Sequence, residues 1–262
     1  MACVAVAEDA KPQRLPAVTA LEKRYGITVR IQKAEYRRTT LHGELRYEKA
    51  DPKRIVKYAE VLRDELSIYP RHFMKRSGLR LIVLCSNLHF KGQKRSALPD
   101  RSRAALVYDI SSERPESEYA RHVIHHEFFH VMDWAGTSWR WRLPEWKKLN
   151  PPDFKYGKGG KTMQHDGKAW SLATGTKGFL NRYSTSSIAE DMAEVYAFLM
   201  TRPKAVARRA KDDKILAAKV ATLKRHLRWF SPYLDDDFWV MASKPRPRPD
   251  PLPAVAAPPA EK

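Results

Sequence analysis

The chain has 262 residues, of which 43% are hydrophobic and 30% charged, with a formal charge of +19. That length and balance suit one full-sized core under a well-solvated surface, and only Cys3 and Cys85 are present, which excludes a disulfide framework or a thiolate zinc site. No apolar run approaches the roughly 18 residues of a membrane-spanning helix.

The first residues, Met1 to Ala10, allow two readings. Ala5-Val6-Ala7 before Glu8 resembles the end of a secretory signal, but a basic start is missing and the apolar stretch is short, so a disordered N-terminus stands beside a clipped export signal. Cys3 could carry a lipid if the true start lies upstream. A secreted, periplasmic or envelope compartment is slightly favoured over the cytoplasm.

Residues 16–25 are predicted to form a short helix closed by Gly26, and residues 27–32 alternate as a strand. Asp51-Pro52 offers a cap followed by a first-turn proline, and Ile55, Tyr58, Ala59, Leu62 and Leu66 follow at helical spacing. Phe73 and Met74 lie in a short helical piece stopped by Gly78. Residues 79–85 and 104–110 read as buried strands, with a polar loop over 91–103 between them. A long helix is expected over 115–135, started at Ser111, Ser112 and Pro115 and ended at Gly136. Residues 139–182 show little periodicity, and a stretch of that length is usually functional or mobile. Further helices follow over 185–200, stopped before Pro203, and over 214–230, with a closing turn at 233–239. From Lys244 there are seven prolines in nineteen residues, the composition of a disordered tail. The expected organisation is an N-terminal segment 1–11, one domain over 12–243, and the tail 244–262.

Residues 126–130 read His-Glu-Phe-Phe-His. Residues four apart on a helix share a face, so His126 and His130 can grip one Zn²⁺ while Glu127 faces the water that such an ion activates. Catalytic zinc needs a third protein ligand. A third histidine at the extended spacing is absent, since Asp133 and Gly136 occupy the places of its glycine and histidine. Glu190 and Glu194 lie one turn apart on the later helix, so one can bind metal while the other hydrogen-bonds a ligand histidine from behind. Glu190 is assigned to the metal and Glu194 to the support; His165 is the alternative ligand, and Asp191 is structural or a further support. His122 reads as an ordinary helix-face histidine, or else a neighbour of the site. Trp139, Trp141 and Trp146 line a groove or, more commonly for tryptophan, pack in the core.

Two sets of residues carry a resemblance. His126-Glu127-Phe128-Phe129-His130-x-x-Asp133, with Tyr183 seven residues before Glu190 and then Glu194, is similar to gluzincins of the anthrax lethal factor and Pro-Pro endopeptidase type. Trp146-x-x-Leu149-Asn150-Pro151-x-x-Phe154-x-Tyr156 before Glu190-Asp191-x-Ala193-Glu194 resembles bacterial zinc-binding metallopeptidases. The likeness spans residues 79–200. It implies zinc held by His126, His130 and Glu190, Glu127 as general base, Tyr183 as donor to the oxyanion, and Glu194 and Asp133 behind the ligands. The implied activity is that of a zinc endopeptidase acting on protein or peptide, with acidic substrates favoured by the charge.

The expected fold is α+β and zincin-like: a small, mainly antiparallel sheet over the active-site helix, C-terminal helices, and an edge strand at 104–110 beside the cleft. The glutamate helix packs below, and 139–182 forms the far wall and a lid. An anionic surface polymer is a further partner class. Nucleic acid is not expected, because the basic residues are dispersed over 23–54, 91–103 and 204–228 without a binding motif. A monomer is expected. The competing readings are a basic nucleic-acid-associated protein and a zinc-stabilised binding module without turnover.

Overall fold

The computed structural model describes residues 15–111, 114–135, 143–163, 169–172 and 175–245. The segment 1–11, the tail beyond Pro245, Ser112, Gly136, Trp139, Trp141 and His165 lie outside the described residues. No described helix is long and apolar enough to cross a membrane.

The chain opens with α1 (Pro16–Tyr25), which Gly26 ends in the left-handed region at φ 67°. β1 (Thr28–Ile31) follows, then a hairpin of β2 (Tyr36–Thr40) and β3 (Gly43–Glu48). α2 (Pro52–Leu66) starts where Asp51 accepts the Lys53 N–H, and α3 (Arg71–Ser77) ends at Gly78, φ 74°. Next come β4 (Leu81–Phe90), β5 (Gln93–Lys94), β6 (Ala97–Asp100) and β7 (Ala105–Asp109). The remaining helices are α4 (Glu118–Ala135), α5 (Leu143–Lys148), α6 (Ile188–Thr201), α7 (Pro203–Asp212), α8 (Lys214–Phe230) and α9 (Asp236–Ala242).

The fold is α+β around a mixed sheet in which β4 is the spine. Its first half runs parallel to β1 on one side and β7 on the other, with Ile82 opposite Val29 and Leu106. Its second half pairs antiparallel with β3 and β5. Successive side chains alternate between the faces. Ile82, Leu84, Leu106 and Tyr108 join the large core under the helices, whereas Val83, Cys85 and Val107 meet Leu45 and Tyr47 of the β2–β3 hairpin.

The edge strand differs from expectation. Residues 104–110 do not form it: β7 lies between β4 and β6, and all five of its residues are buried. A strand with continuous apolar character belongs inside a sheet. The edge is β6, antiparallel to β7 with Ala97 opposite Tyr108, within the stretch read as a polar loop. Its Pro99 lacks an N–H, which an edge position tolerates. The hairpin β2–β3 and the helix α7 were likewise not anticipated.

α6 packs across α4, and every residue from Asp191 to Met200 is buried, the pattern of a helix enclosed on all sides. The core beneath α4 is aromatic. Phe128 is fully buried, with its ring 4.8 Å from Tyr69 and 5.9 Å from Phe73.

Candidate metal centre

α4 carries His126 and His130 on one face, as their spacing requires, and their Nε2 atoms lie 3.2 Å apart. α6 supplies the third donor. Ser187 caps α6, its Oγ accepting the Glu190 N–H at 3.2 Å, which places Glu190 in the first turn. From there Glu190 Oε2 reaches within 3.0 Å of His126 Nε2 and 3.3 Å of His130 Nε2. The three donor atoms thus form a triangle with edges of 3.0, 3.2 and 3.3 Å. Ligands about 2.0–2.1 Å from a tetrahedral zinc are separated by about 3.3 Å. The donor set therefore fits a tetrahedral ion with one corner left over.

The electrostatics ask for the same cation. Burial pushes Glu190 up, but the imidazoles, His130 foremost, outweigh it and hold the carboxyl below the usual range. Burial likewise works against Glu194, yet His122 and His126 hold it down at about 2. Burial disfavours a charged His126, and the two glutamates overcome this and raise it well above an ordinary histidine. The two buried carboxylates thus draw positive charge onto His126, and a divalent ion can supply that charge in its place, with the imidazoles then binding as neutral ligands.

Glu194 sits behind the triangle. It lies 3.1 Å from His122 Nε2 through either oxygen, accepts the Asn181 Nδ2 at 2.5 Å, and stands 2.8 Å from His126 Nδ1. The last is a charge contact without hydrogen-bond alignment. A second triplet of possible donors, His122, His126 and Glu194, lies deeper, but there Glu194 already serves the Asn181 amide. His122 is buried against Glu194 rather than displayed on a helix face. Its position one turn before His126 was the available signal. Asn181 gave none. Asp133 is half-buried on α4 and belongs to neither donor cluster among the described residues.

Glu127 lines a pocket bounded by β6, α4 and the segment around Trp170 and Tyr183. Burial raises its carboxyl; His126 and His130 oppose the rise, Glu190 adds to it and Arg95 lowers it. Tyr183 opens a short 3-10 turn, with its ring edge-on to His126 at 5.8 Å between centroids. Burial, then Glu190, push its hydroxyl well above the ordinary tyrosine value, so it stays protonated. Gly160 packs directly on that hydroxyl: a Cβ there would overlap it and lie 3.0 Å from Glu190 Oε1.

Asp191 faces away from the donors. Its Oδ2 accepts from Trp146 Nε1 at 2.8 Å, Tyr156 Oη at 2.7 Å and Lys219 Nζ at 2.7 Å, and the Asn150 amide donates to Tyr156 at 2.8 Å. The Trp146 to Tyr156 stretch is thereby tied to α6 one residue after Glu190, and Trp146 is a fully buried core residue, not a groove wall. On the inner side of α4, His125 Nε2 lies 2.9 Å from Glu65 and its Nδ1 2.6 Å from the Tyr69 hydroxyl, which also accepts from Tyr196 at 2.7 Å.

A family model described as "Putative zinc-binding metallo-peptidase" matches residues 37–240. A crystal structure of a protein of the same description, from Bacteroides caccae, superposes with a TM-score of 0.58 at 17% identity, covering 89% of this chain and 92% of that one. At that identity the likeness shows the fold. No curated protein matches the chain. The family match takes in all the donor residues above, and the chain belongs to this zinc-binding metallopeptidase family, with Zn²⁺ as its metal.

Proposed function

We propose that the chain is a gluzincin-type zinc endopeptidase that holds its metal between His126, His130 and Glu190. The observation that carries this reading is the 3.0, 3.2 and 3.3 Å triangle of donor atoms, drawn from two helices, with His126, Glu127 and Tyr183 lining a pocket beside it. Zinc, when bound, polarises the scissile carbonyl and makes water nucleophilic near neutral pH.

The chain's own residues do the rest. Glu127 takes a proton from the attacking water and returns it to the leaving amine; a carboxyl raised by burial suits both duties. Tyr183 donates from its protonated hydroxyl to the oxygen that gains charge, a contribution of about 2.7–4 kcal/mol for donors of this kind. Glu194, with Asn181 and His122, fixes the orientation of the His126 ring. The edge of β6 offers backbone groups on which an extended peptide can align as an added strand.

Zinc content and peptide-library cleavage test the proposal together, comparing the wild type with Glu127→Gln and Tyr183→Phe. Zinc should be retained in both variants while cleavage falls by about 10²–10⁴-fold in the first. Undiminished cleavage by Glu127→Gln overturns the mechanism. Zinc binding without cleavage in any variant, the wild type included, would leave a zinc-stabilised binding module.

A further inference from the structure

Arg95, in the turn between β5 and β6, differs from Arg38, Arg103 and Arg121, partly buried arginines that each have a carboxylate partner. Arg38 and Arg103 share Asp100 at 2.7 Å each, and Arg121 is paired with Glu65. Arg95 has no carboxylate within ion-pair distance among the described residues. Its Nη2 donates to Gln93 Oε1 at 2.9 Å, while its Nε is buried with no hydrogen-bond partner. The backbone beneath is held in place, with the Arg95 N–H donating to Leu88 O at 2.9 Å.

The side chain lines the pocket that contains Glu127 and Tyr183, and its positive charge acts on both groups. Tyr119 and Trp170 form an aromatic wall of the same pocket, their ring centroids 4.9 Å apart. A guanidinium cannot neutralise itself by losing a proton, and shielding one from water without a counter-ion is costly. Its planar fork matches a carboxylate in geometry and charge. Of the two carboxylates that line the pocket, Glu194 is committed to His122 and Asn181, and Glu127 feels the Arg95 charge without pairing with it.

We infer that Arg95 receives a carboxylate of the peptide substrate, from an Asp or Glu side chain or from the C-terminus, within the pocket walled by Tyr119 and Trp170. This rests on the peptidase reading and adds the substrate class. The net charge of +19 acts in the same direction at longer range, drawing anionic peptides toward the surface.

The test uses the zinc-loaded full chain and two peptide comparisons. One replaces Glu by Gln at each position around the cut in amidated peptides, and the other compares free acid with amide at the C-terminus. The wild type should favour the carboxylate form by on the order of 10-fold or more in kcat/KM, as expected for a charge-assisted bond. Arg95→Gln should lose that ratio, and Arg95→Glu should invert it in favour of Lys. Preference in the first comparison identifies a side chain as the source, and in the second the C-terminus.

Cleavage by the wild type without either preference overturns the inference and leaves the peptidase reading intact, as does a preference that survives in Arg95→Gln. Fluorescence anisotropy of the same labelled peptides on Glu127→Gln, with and without Arg95→Gln, separates the two claims. Carboxylate-selective binding that depends on Arg95, with no cleavage by the wild type, supports the Arg95 site and sinks the peptidase reading. No cleavage and no selective binding overturns both.

Discussion

Gly160→Ala tests how the centre is built. The backbone around Gly160 is pinned, because Gly157 N–H donates to Thr185 O at 3.0 Å and Gly159 N–H to Ser186 O at 2.8 Å. A methyl group at 160 would lie 2.7 Å from Tyr183 Cζ, and ordinary contact begins near 3.4 Å. The phenol must therefore withdraw by roughly 0.7 Å at Cζ and further at the hydroxyl; a misplacement of about 1 Å near reacting atoms can cost about 10²-fold in rate. Glu190 Oε2 faces the imidazoles while Oε1 is the atom near Gly160, so the donor triangle should survive. The expected result is a loss of about 10²-fold in kcat/KM, about 2.7 kcal/mol, with zinc content unchanged. The assay is a double-mutant cycle with Tyr183→Phe. Because the glycine acts through the hydroxyl, Gly160→Ala should cost little once that hydroxyl is gone. Full additivity of the two losses, or a Gly160→Ala enzyme at wild-type rate, would refute the reasoning.

Three further outcomes are expected. Glu194→Ala removes the acceptor behind His122 and His126, and zinc affinity measured against a competing chelator should fall about 10–100-fold; unchanged affinity would remove Glu194 from its supporting role. Asp100 is buried, which raises its carboxyl, but Ser102 and the arginines outweigh this and hold it below the ordinary value. A depressed folded pKa gives stability that is present above the unfolded value of about 3.9 and lost as pH falls through the folded one. Asp100→Asn should thus lower the melting temperature at neutral pH, with the gap to wild type closing below about pH 4; a gap that widens in acid contradicts the assignment. Phe128→Ala empties a fully buried site beside Tyr69 and Phe73 and should destabilise by about 3–5 kcal/mol in denaturant titration, whereas a loss under 1 kcal/mol would mean the core collapses around it.

Much of the local structure was legible because its cause is local. Gly26 and Gly78 end α1 and α3 in left-handed conformations that favour glycine, Asp51-Pro52 starts α2, and α8 covers residues 214–230 as its pattern suggested. The donors of the centre could be named as candidates because His126 and His130, and again Glu190 and Glu194, are one helical turn apart. Pro203 was read only as the end of α6; it also occupies the first turn of α7, a use of proline that short-range pattern does not separate from a stop. The strands β2, β3, β5 and β6 are not legible locally because their segments, polar and charged or, in β6, carrying Pro99, become strands only through pairing with β4, with β7, or with each other.

By itself, then, the order of residues determined most of the helices, though not α5 or α7, several of their caps and the presence of a two-histidine grip, since each depends on neighbours within a few positions. Only the tertiary structure decided that α6 crosses α4 so that Glu190, sixty residues later, closes the triangle, that His122 and Asn181 share Glu194, that Gly160 packs on Tyr183, and that Arg95 borders the pocket. Those relations are set by packing between remote segments, where a side chain's role depends on which surface is pressed against it.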